Sequence, residues 1–310
     1  MSNPTTSGTR PERDFGWLSE YLQNARSFHA DFVRQVDQTK TLHHYTDLTG
    51  LKGIGTEHDL WLTNALYCND EAEIKLGIQV ARDQIKILAA GATGPKKDYL
   101  DQLDKELSEP PKEGVYICCF CENGDDLSQW RAYAGDGNGV SIEIDPNTFV
   151  QYAGNHPFGF LAIWNVFYPI DRQEQIMRTA LENTYNKFSS LPPDQIVKKA
   201  KDVIDFFVPT FKHHGFNVEN EWRMIFVPSP ASPVKPRYRA RRDMLIPYYS
   251  LKDLMLTIPT VNKDSWRLPI RQVRIGPSRH RELNRACAQS LLIDNGYNCP
   301  AVASETPYRS

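Results

Sequence analysis

The chain has 310 residues and a formal net charge of -2, with 40% hydrophobic and 24% charged residues, which is an ordinary globular composition. This length suffices for one large domain or two moderate ones, each with a hydrophobic core. No apolar run approaches the eighteen or so residues of a membrane helix, and the first residues do not resemble a signal peptide. We therefore expect no membrane contact and a cytoplasmic location.

Residues 1–12 are rich in Ser, Thr, Pro and Gly and carry no periodic apolar pattern, which predicts a disordered N-terminus. Residues 13–310 show no internal repeat and no clear linker, so we predict one compact domain. Its first element is an amphipathic helix from Asp14 to about Gln38, because apolar residues recur there at helical spacing.

Strands and helices then alternate along the chain. Apolar runs bounded by turn residues predict strands at 42–46, 60–63, 115–120, 140–144, 161–168, 222–227, 242–247, 254–258 and 272–275. Helical periodicity and capping residues predict a short helix after Asp47 that ends near Gly53 or Gly55, followed by helices at 70–90, 97–108, 127–134, 171–188, 193–210 and 279–295. In the predicted helix 70–90, Asp70 is the N-cap and Glu73 is its capping-box partner. The proline-rich segment 228–239 is predicted to be a loop.

The six cysteines are few for a disulfide framework, and three of them lie between positions 118 and 121 on one predicted strand. A zinc site needs pairs at suitable spacing with further Cys or His ligands, and this pattern does not supply them. We therefore predict reduced, mostly buried thiols and no metal site. Likewise, the glycines of AGDGNG lack the order of a nucleotide-binding fingerprint and indicate a structural turn.

The stretch GFNVENEWRMIFVP, residues 215–228, places Glu219 and Glu221 two residues apart at the start of an apolar run. Side chains two apart in an extended chain point to the same side. Such a carboxylate pair can orient a hydroxyl or stabilise a developing positive charge. The alternative interpretation is a solvated turn before a buried strand.

The segment LHHYT, residues 42–46, carries a second candidate group. His43 and His44 alternate between the two faces of the predicted strand, so we expect only one of them to point into a cleft. A histidine, a tyrosine ring and the hydroxyl of Thr46 at one strand end form a candidate ligand-binding group. A histidine satisfied in the core or at the surface is the alternative.

The C-terminal third is basic, because residues 231–310 contain 14 Lys or Arg and only 6 Asp or Glu. A first cluster comprises Arg237, Arg239, Arg241 and Arg242. Clustered arginines suit the phosphates of a nucleotide or of a nucleic acid, so we predict that these four bind nucleic acid. A solvated face, or a surface for an acidic partner, is the alternative.

Four blocks in this order resemble a bacterial family of proteins of uncharacterised function: LHHYT with LKGI, LWLTNALYCNDEAE, FCENGDDLSQWRAYAGDGNGVSIEID and VENEWRMIF. The resemblance covers about residues 42–276. The same order resembles ADP-ribosyltransferases of the His-Tyr-Glu type. This resemblance implies an α+β fold in which helices decorate an ADP-ribosyltransferase-like split, mixed or antiparallel β-sheet.

The resemblance also implies catalytic roles. His44, with Thr46 beside it, would hold the nicotinamide ribose of NAD, and Tyr133 would stack on the nicotinamide. Glu221, the second glutamate of the Glu-x-Glu element, would stabilise the oxocarbenium-like centre as nicotinamide leaves. Glu219 would face the acceptor of the ADP-ribose.

Other implied contacts leave alternatives open. Tyr45 and Tyr67 are alternatives to the predicted stacking tyrosine, and Tyr45 also belongs to the cofactor-binding strand. Arg131 and Arg223 would pair with the pyrophosphate of NAD. For Arg223, pairing with a local carboxylate is an equal alternative.

The functional hypothesis is an NAD-dependent ADP-ribosyltransferase that consumes NAD as a substrate. We expect an intracellular toxin or a phage-defence effector that modifies RNA, DNA or a protein, and for a toxin an antitoxin protein as a partner. One alternative is an NAD glycohydrolase, with water as the acceptor. The other is a non-enzymatic module that binds nucleotide or nucleic acid.

Overall fold

A computed structural model of the chain describes residues 15–28, 41–68, 71–108, 114–150, 156–229, 232–241 and 243–308. The segment 1–12, predicted to be disordered, lies outside the described residues, as do residues 29–38 of the predicted N-terminal helix. The predicted cap Asp70 also lies outside them.

Helices and β-strands are mixed along the chain, which confirms the predicted α+β class. The α-helices are α1 Phe15–Phe28, α2 Leu48–Glu57, α3 Glu71–Ala90, α4 Pro95–Leu107, α5 Leu127–Tyr133, α6 Asn147–Val150, α7 Ile170–Phe188, α8 Pro193–Phe207, α9 Leu251–Met255 and α10 Arg281–Asp294. The strands are β1 Leu42–Thr46, β2 Trp61–Asn64, β3 Tyr116–Cys121, β4 Val140–Ile144, β5 Gly159–Asn165, β6 Glu221–Pro228, β7 Arg237–Arg241, β8 Met244–Ser250, β9 Ile270–Ile275 and β10 Ala301–Ala303.

The described strands join in a single mixed sheet. Its order is β10-β9-β4-β1-β3-β2-β8-β7, while β6 pairs with β3 and β5 pairs with β6. The β9–β10 pair is parallel and the other pairs are antiparallel. Strand β3 therefore pairs with three strands, which places it at the centre of the architecture.

This triple pairing opens a gap in the sheet. Strand β6 pairs with β3 along its whole length, from Tyr116 to Cys121. The other edge of β3 is shared, because β2 pairs at Tyr116 and Ile117 whereas β1 pairs at Cys121. Since β1 and β2 meet the same edge at different ends, they diverge over the middle of β3 and leave a gap there.

Helices cover both faces of the sheet, because its central strands alternate apolar side chains between two cores. In β6, Ile225 and Val227 pack on the face covered by α1, α3, α4, α7 and α8. Trp222, Met224 and Phe226 pack on the opposite face, which α2, α9 and α10 cover. No described helix is both long and apolar enough to span a bilayer.

Two sequence predictions about local structure are wrong, and one strand was not predicted. Segment 254–258 is not a strand: it falls at the end of helix α9, whose N-cap Ser250 accepts a hydrogen bond from the Asp253 amide. The end of the proline-rich segment forms the edge strand β7, because an edge position leaves room for nearby prolines. The short strand β10 was not predicted. It pairs with β9, from which helix α10 separates it in the sequence, so no short turn marks the pairing.

We predict that Gly139→Ala destabilises the junction of β1 and β4. A Cβ atom at Gly139 would lie 2.2 Å from the Thr46 carbonyl oxygen and 2.9 Å from that of Ala134, so the backbone would have to move. The expected loss in the free energy of unfolding is about 1–3 kcal/mol, measured by denaturant titration. The control is Gly53→Ala in α2, where no atom lies within 4 Å of the new methyl group. That variant should match or slightly exceed the wild-type stability, and equal losses would contradict the prediction.

Candidate active site

A cavity of about 410 Å³ lies at the gap between β1 and β2. Strands β3 and β6 supply its floor, and segments from α3, α5 and the loop after α8 surround it. The lining side chains include His43, His44 and Tyr45 from β1, Trp61 and Thr63 from β2, Cys119 from β3, Glu221 and Arg223 from β6, Arg239 and Arg241 from β7, and Tyr67, Glu73, Tyr133, Lys212, Phe216 and Glu219.

Lys212 joins three carboxylates at the floor of this cavity. Its Nζ atom lies 3.0 Å from Glu73 Oε1, 2.6 Å from Glu219 Oε2 and 3.0 Å from Glu221 Oε2. The lysine side chain is only 5% exposed. A buried ammonium needs several acceptors to offset its loss of hydration, and Lys212 donates hydrogen bonds to Glu219 and Glu221 and forms an ion pair with Glu73.

Arg223 completes this charge cluster. Its Nε donates to Glu221 Oε1 at 2.8 Å, and its Nη2 donates to Glu221 Oε2 at 2.9 Å and to Glu73 Oε2 at 2.5 Å. The remaining nitrogen, Nη1, donates to the Pro209 carbonyl at 2.5 Å. The guanidinium is thus committed to local acceptors, so of the two alternatives for Arg223 the structure shows pairing with local carboxylates.

The cluster keeps Glu221 ionised. Burial alone would raise the pKa of this carboxyl group, but the charges of Arg223 and Lys212 outweigh burial and lower the pKa to about 2. For the same reason the pKa of each cation is raised although burial opposes it, with Glu221 as the strongest partner of both. The site therefore holds a charged carboxylate in a volume shielded from bulk water.

Glu219 and Glu221 approach each other by a route that differs from the predicted one. Glu219 is not extended: it ends a 3-10 turn, His214–Glu219, and Asn220 adopts a left-handed conformation with φ 42°. Strand β6 begins only at Glu221, whose amide donates to the Tyr168 hydroxyl at 2.9 Å. The two carboxylates meet because both bind Lys212, and not because an extended chain turns them to one side.

Both histidines of β1 line the cavity, contrary to the expectation that only one could. Pairing places His43 opposite Cys121, on the face of Glu221, and therefore His44 on the other face beside Phe120. The gap lets the cavity reach His44 as well. The His44 Nδ1 atom donates to the Cys119 carbonyl oxygen at 2.9 Å. It thereby supplies a donor to a backbone acceptor of β3 that lies between the segments paired with β1 and β2.

Burial lowers the pKa of His44 below its usual value, although its bond to the Cys119 carbonyl opposes that effect. The ring is therefore neutral near pH 7. Because the carbonyl can only accept, Nδ1 carries the proton and Nε2 is left as a hydrogen-bond acceptor. A neutral acceptor of this kind suits a hydroxyl group of a ligand.

Other candidates on β1 and α5 have structural contacts. The Tyr45 hydroxyl donates to the Asn123 carbonyl and accepts from the Asp126 amide, both at 3.0 Å, and so fixes the loop before α5. Thr46 lies at the end of β1 and is not among the cavity-lining residues. Arg131 is outside the cavity too, with Nε 3.9 Å from Asp136 Oδ1.

Tyr133 lies at the cavity, and its hydroxyl donates to Glu219 Oε1 at 3.2 Å. The alternative Tyr67 lines the same cavity, and both rings are 39% exposed. Two aromatic rings are thus available to a planar ligand group.

The six cysteines are free thiols in the structure, and Cys118, Cys121 and Cys299 are the buried ones, so fewer are buried than predicted. Cys119 reaches the cavity, where desolvation and the negative charge of Glu221 raise its pKa well above the usual value. Its thiol is therefore protonated and a poor nucleophile. Among the described residues, no group of three or more His, Cys, Asp or Glu is arranged to hold a metal ion.

The predicted arginine cluster is divided between two environments. Arg239 and Arg241 line the cavity. Arg237 pairs with Asp253 at 2.6 Å on the surface, with 54% of its side chain exposed. Arg242 lies outside the described residues.

Two charged residues of the cluster were not predicted as site residues. Glu73 was predicted to be a capping residue, but it lies on the face of α3 that carries the buried Gly77 and Ala81. A carboxylate at helical spacing from these small residues could have indicated a buried charged group. Lys212 follows the buried Phe211 in a segment without periodicity, so no sequence pattern identifies it.

Residues 129–224 match the family described as Protein of unknown function (DUF2971). The matched segment covers less than a third of the chain and contains Tyr133, Lys212, Glu219, Glu221 and Arg223, whereas His44, Glu73 and Arg239 lie outside it. The chain is similar to this family over that segment. No curated protein and no solved structure matches the chain.

We predict an acid-dependent loss of stability that involves Glu221. Because its folded pKa of about 2 lies below the ordinary 4.5, the ionised carboxylate stabilises the fold fully above about pH 4.5, and this contribution is lost as the pH falls toward 2. The difference in unfolding free energy between wild type and Glu221→Gln should therefore shrink from pH 6 to pH 3, as measured by urea titration.

The control for this pH experiment is Glu282→Gln. Its side chain is 64% exposed and pairs with the neighbouring Arg281 and Arg285 of α10. It should keep the wild-type dependence on pH. A constant difference between wild type and Glu221→Gln across the same range would contradict a depressed pKa.

We also predict that Lys212→Met lowers the free energy of unfolding by about 3–5 kcal/mol, because it leaves three carboxylates with one cation in a buried site. The matched control is Lys97→Met, which removes an exposed pair with Asp101 in α4. That variant should lose less than about 1 kcal/mol. Similar small losses in both, measured by denaturant titration, would show that the buried cluster does not depend on Lys212.

Proposed function

We propose that the protein is an NAD-dependent ADP-ribosyltransferase and that Glu221 is its catalytic carboxylate. The observation that carries this proposal is the position of Glu221, ionised and shielded at the floor of a cavity large enough for part of a dinucleotide. Breaking the glycosidic bond of NAD creates positive charge on the ribose, and an oriented carboxylate in a site of low polarity stabilises that charge.

The formal charges of the cluster support this chemistry. Three carboxylates, Glu73, Glu219 and Glu221, face two cations, Lys212 and Arg223, so the group carries one excess negative charge. The two cations orient Glu221 without neutralising the cluster. A developing oxocarbenium ion would supply the missing positive charge, so the cluster binds the transition state more strongly than the neutral ribose.

The reaction proceeds at the anomeric carbon of the nicotinamide ribose. The C1'–N bond breaks, and its electron pair moves to the ring nitrogen, so that nicotinamide leaves as a neutral molecule. An acceptor then attacks C1' with its lone pair and releases its proton to solvent. Glu221 stabilises the ribosyl cation between these steps, and Glu219 lies beside it on the turn that carries the exposed Val218, where an acceptor can approach.

The surrounding side chains supply binding groups for the nicotinamide ribose. His44 offers a neutral Nε2 acceptor for a ribose hydroxyl. The ring of Tyr133 or Tyr67 offers a face for the nicotinamide. The divergence of β1 and β2 around β3 supports the ADP-ribosyltransferase-like split sheet that the sequence resemblance implies.

Within this proposal the acceptor is RNA, DNA or a protein, and the biological role is that of an intracellular toxin or a phage-defence effector. A toxin of this kind would be neutralised by an antitoxin protein. Water as the acceptor would make the protein an NAD glycohydrolase, and the following experiment separates the two outcomes.

We predict that the wild-type protein consumes NAD and that Glu221→Gln lowers the rate at least about 100-fold, because the transition-state charge loses its counter-charge. NAD labelled on the adenylate is incubated with RNA, DNA or cell lysate, and both transferred label and free nicotinamide are measured. The control Glu282→Gln, on the exposed face of α10, should retain the wild-type rate. Thermal melting of each variant establishes that it is folded.

The two products separate the candidate reactions. Label on an acceptor indicates transfer, whereas nicotinamide without labelled acceptor indicates hydrolysis. Glu219→Gln should reduce acceptor labelling more than nicotinamide release if Glu219 faces the acceptor. The enzymatic proposal fails if the wild-type protein neither consumes nor binds NAD under any of these conditions.

A further inference from the structure

One side of the cavity carries positive charge that the carboxylate cluster does not use. Arg239, from the edge strand β7, lies over the ring of Trp61 at 5.3 Å, and its Nη2 atom donates to Thr63 Oγ1 at 3.1 Å. Trp61 in turn packs on Tyr248, with ring centroids 4.5 Å apart. The Arg239 guanidinium is thus held in position by the packed rings of Trp61 and Tyr248 and by the Thr63 hydroxyl group.

The surroundings of Arg239 differ from those of the other cations at the cavity floor. In the described part of the chain, the side chains of Lys212 and Arg223 donate their hydrogen bonds to glutamates, apart from Arg223 Nη1, which donates to the Pro209 carbonyl. Within the described residues, by contrast, no ion pair joins Arg239 to a carboxylate. Among the described residues its buried Nε atom has no hydrogen-bond partner, so this cation keeps unused donor capacity.

Arg241 adds a second positive charge, two residues further along the same strand and on the same face. Burial lowers the pKa of Arg239, and the neighbouring charge of Arg241 lowers it further. Two adjacent like charges repel each other, and an anion placed between them removes that repulsion. The pair therefore favours an anionic ligand group.

We propose that Arg239 and Arg241 form a subsite for a phosphate group of the small ligand that occupies the cavity, with Trp61 and Thr63 positioning Arg239. Planar guanidinium groups bind phosphate oxygens through two parallel hydrogen bonds, which suits this pair. The subsite deepens the proposed function and rests on it for the identity of the ligand: in NAD the group is the diphosphate. It assigns to β7 the role that the sequence resemblance gave to Arg131 and Arg223.

The position of Arg239 favours a small ligand over a nucleic acid backbone. Its guanidinium is half-buried against Trp61 inside the cavity, where an extended duplex does not fit. Arg237 and Arg241 are the exposed arginines of β7, and Arg237 pairs with Asp253 at the end of the strand away from Arg241. The structure thus provides a matched control on the same strand.

Inorganic pyrophosphate is the probe, titrated by calorimetry at fixed ionic strength into wild type, Arg239→Gln, Arg241→Gln and Arg237→Gln. We expect the first two variants to weaken binding at least about tenfold, since each removes a charge-assisted contact, and Arg237→Gln to change it less than about twofold. Arg239→Lys retains the charge but not the planar fork, so it should recover part of the affinity. Thermal melting establishes that each variant is folded.

The proposal is overturned if pyrophosphate does not bind the wild-type protein, or if Arg237→Gln weakens binding as much as Arg239→Gln. Binding of an RNA oligonucleotide that depends equally on all three arginines, and that pyrophosphate does not displace, would also overturn it by assigning them to a nucleic-acid surface.

The outcomes also separate this proposal from that of the preceding section. Pyrophosphate binding that depends on Arg239, without NAD consumption, would support the subsite and reject the transferase. NAD consumption with an unchanged KM in Arg239→Gln would support the transferase and reject the subsite.

Discussion

The buried contact of Lys212 with three glutamates is the interaction on which the candidate site depends. It joins elements distant in sequence: Glu73 from α3, Glu219 from the 3-10 turn and Glu221 from β6. Removing five charged groups from water costs several kcal/mol for each, and the cost is recovered only when the set is complete. The cluster therefore links α3 to β6 through charged contacts, in addition to the apolar contacts around it.

The gap in the sheet and the charge cluster are two consequences of the pairing of β3. Because β6 occupies one edge of β3 along its whole length, Glu221 and Arg223 lie directly opposite Cys121 and Cys119. Because β1 and β2 pair with opposite ends of the other edge, the middle of β3 lies beside the cavity. The bond from His44 to the Cys119 carbonyl then satisfies an acceptor that a regular sheet would pair with a strand. The cavity is thus a property of the strand order.

The charges divide this cavity into two regions. The floor at Glu221 carries an excess negative charge, and the β7 side carries Arg239 and Arg241. A ligand with a positive centre at one end and a phosphate at the other would match both regions. The proposed transferase and the proposed phosphate subsite each rest on one of them, and the separation of opposite charges within one small cavity connects the two proposals.

The sequence by itself determined local structure wherever a short segment carries its own signal. The alternation in LHHYT and the turn before Val140 gave β1 and β4 with their observed ends, and Asp47 caps α2 as predicted. Glu219 and Glu221 were singled out as a pair from their spacing, and His44 and Tyr133 from the resemblance, and all four side chains line the cavity. The predictions for β1, β4 and the cap of α2 succeeded because periodicity, caps and turn residues act over a few neighbouring positions.

Only the tertiary structure decided how those segments meet. Strand order, the gap between β1 and β2, and the contact of Glu73 with Lys212 depend on residues that lie far apart in the sequence, and no local pattern specifies such contacts. The contrast between Arg239 at the cavity and Arg237 at the surface has the same origin. The two arginines lie two residues apart on one strand. Their environments differ because Arg239 lies over the ring of Trp61, whereas Arg237 pairs with Asp253.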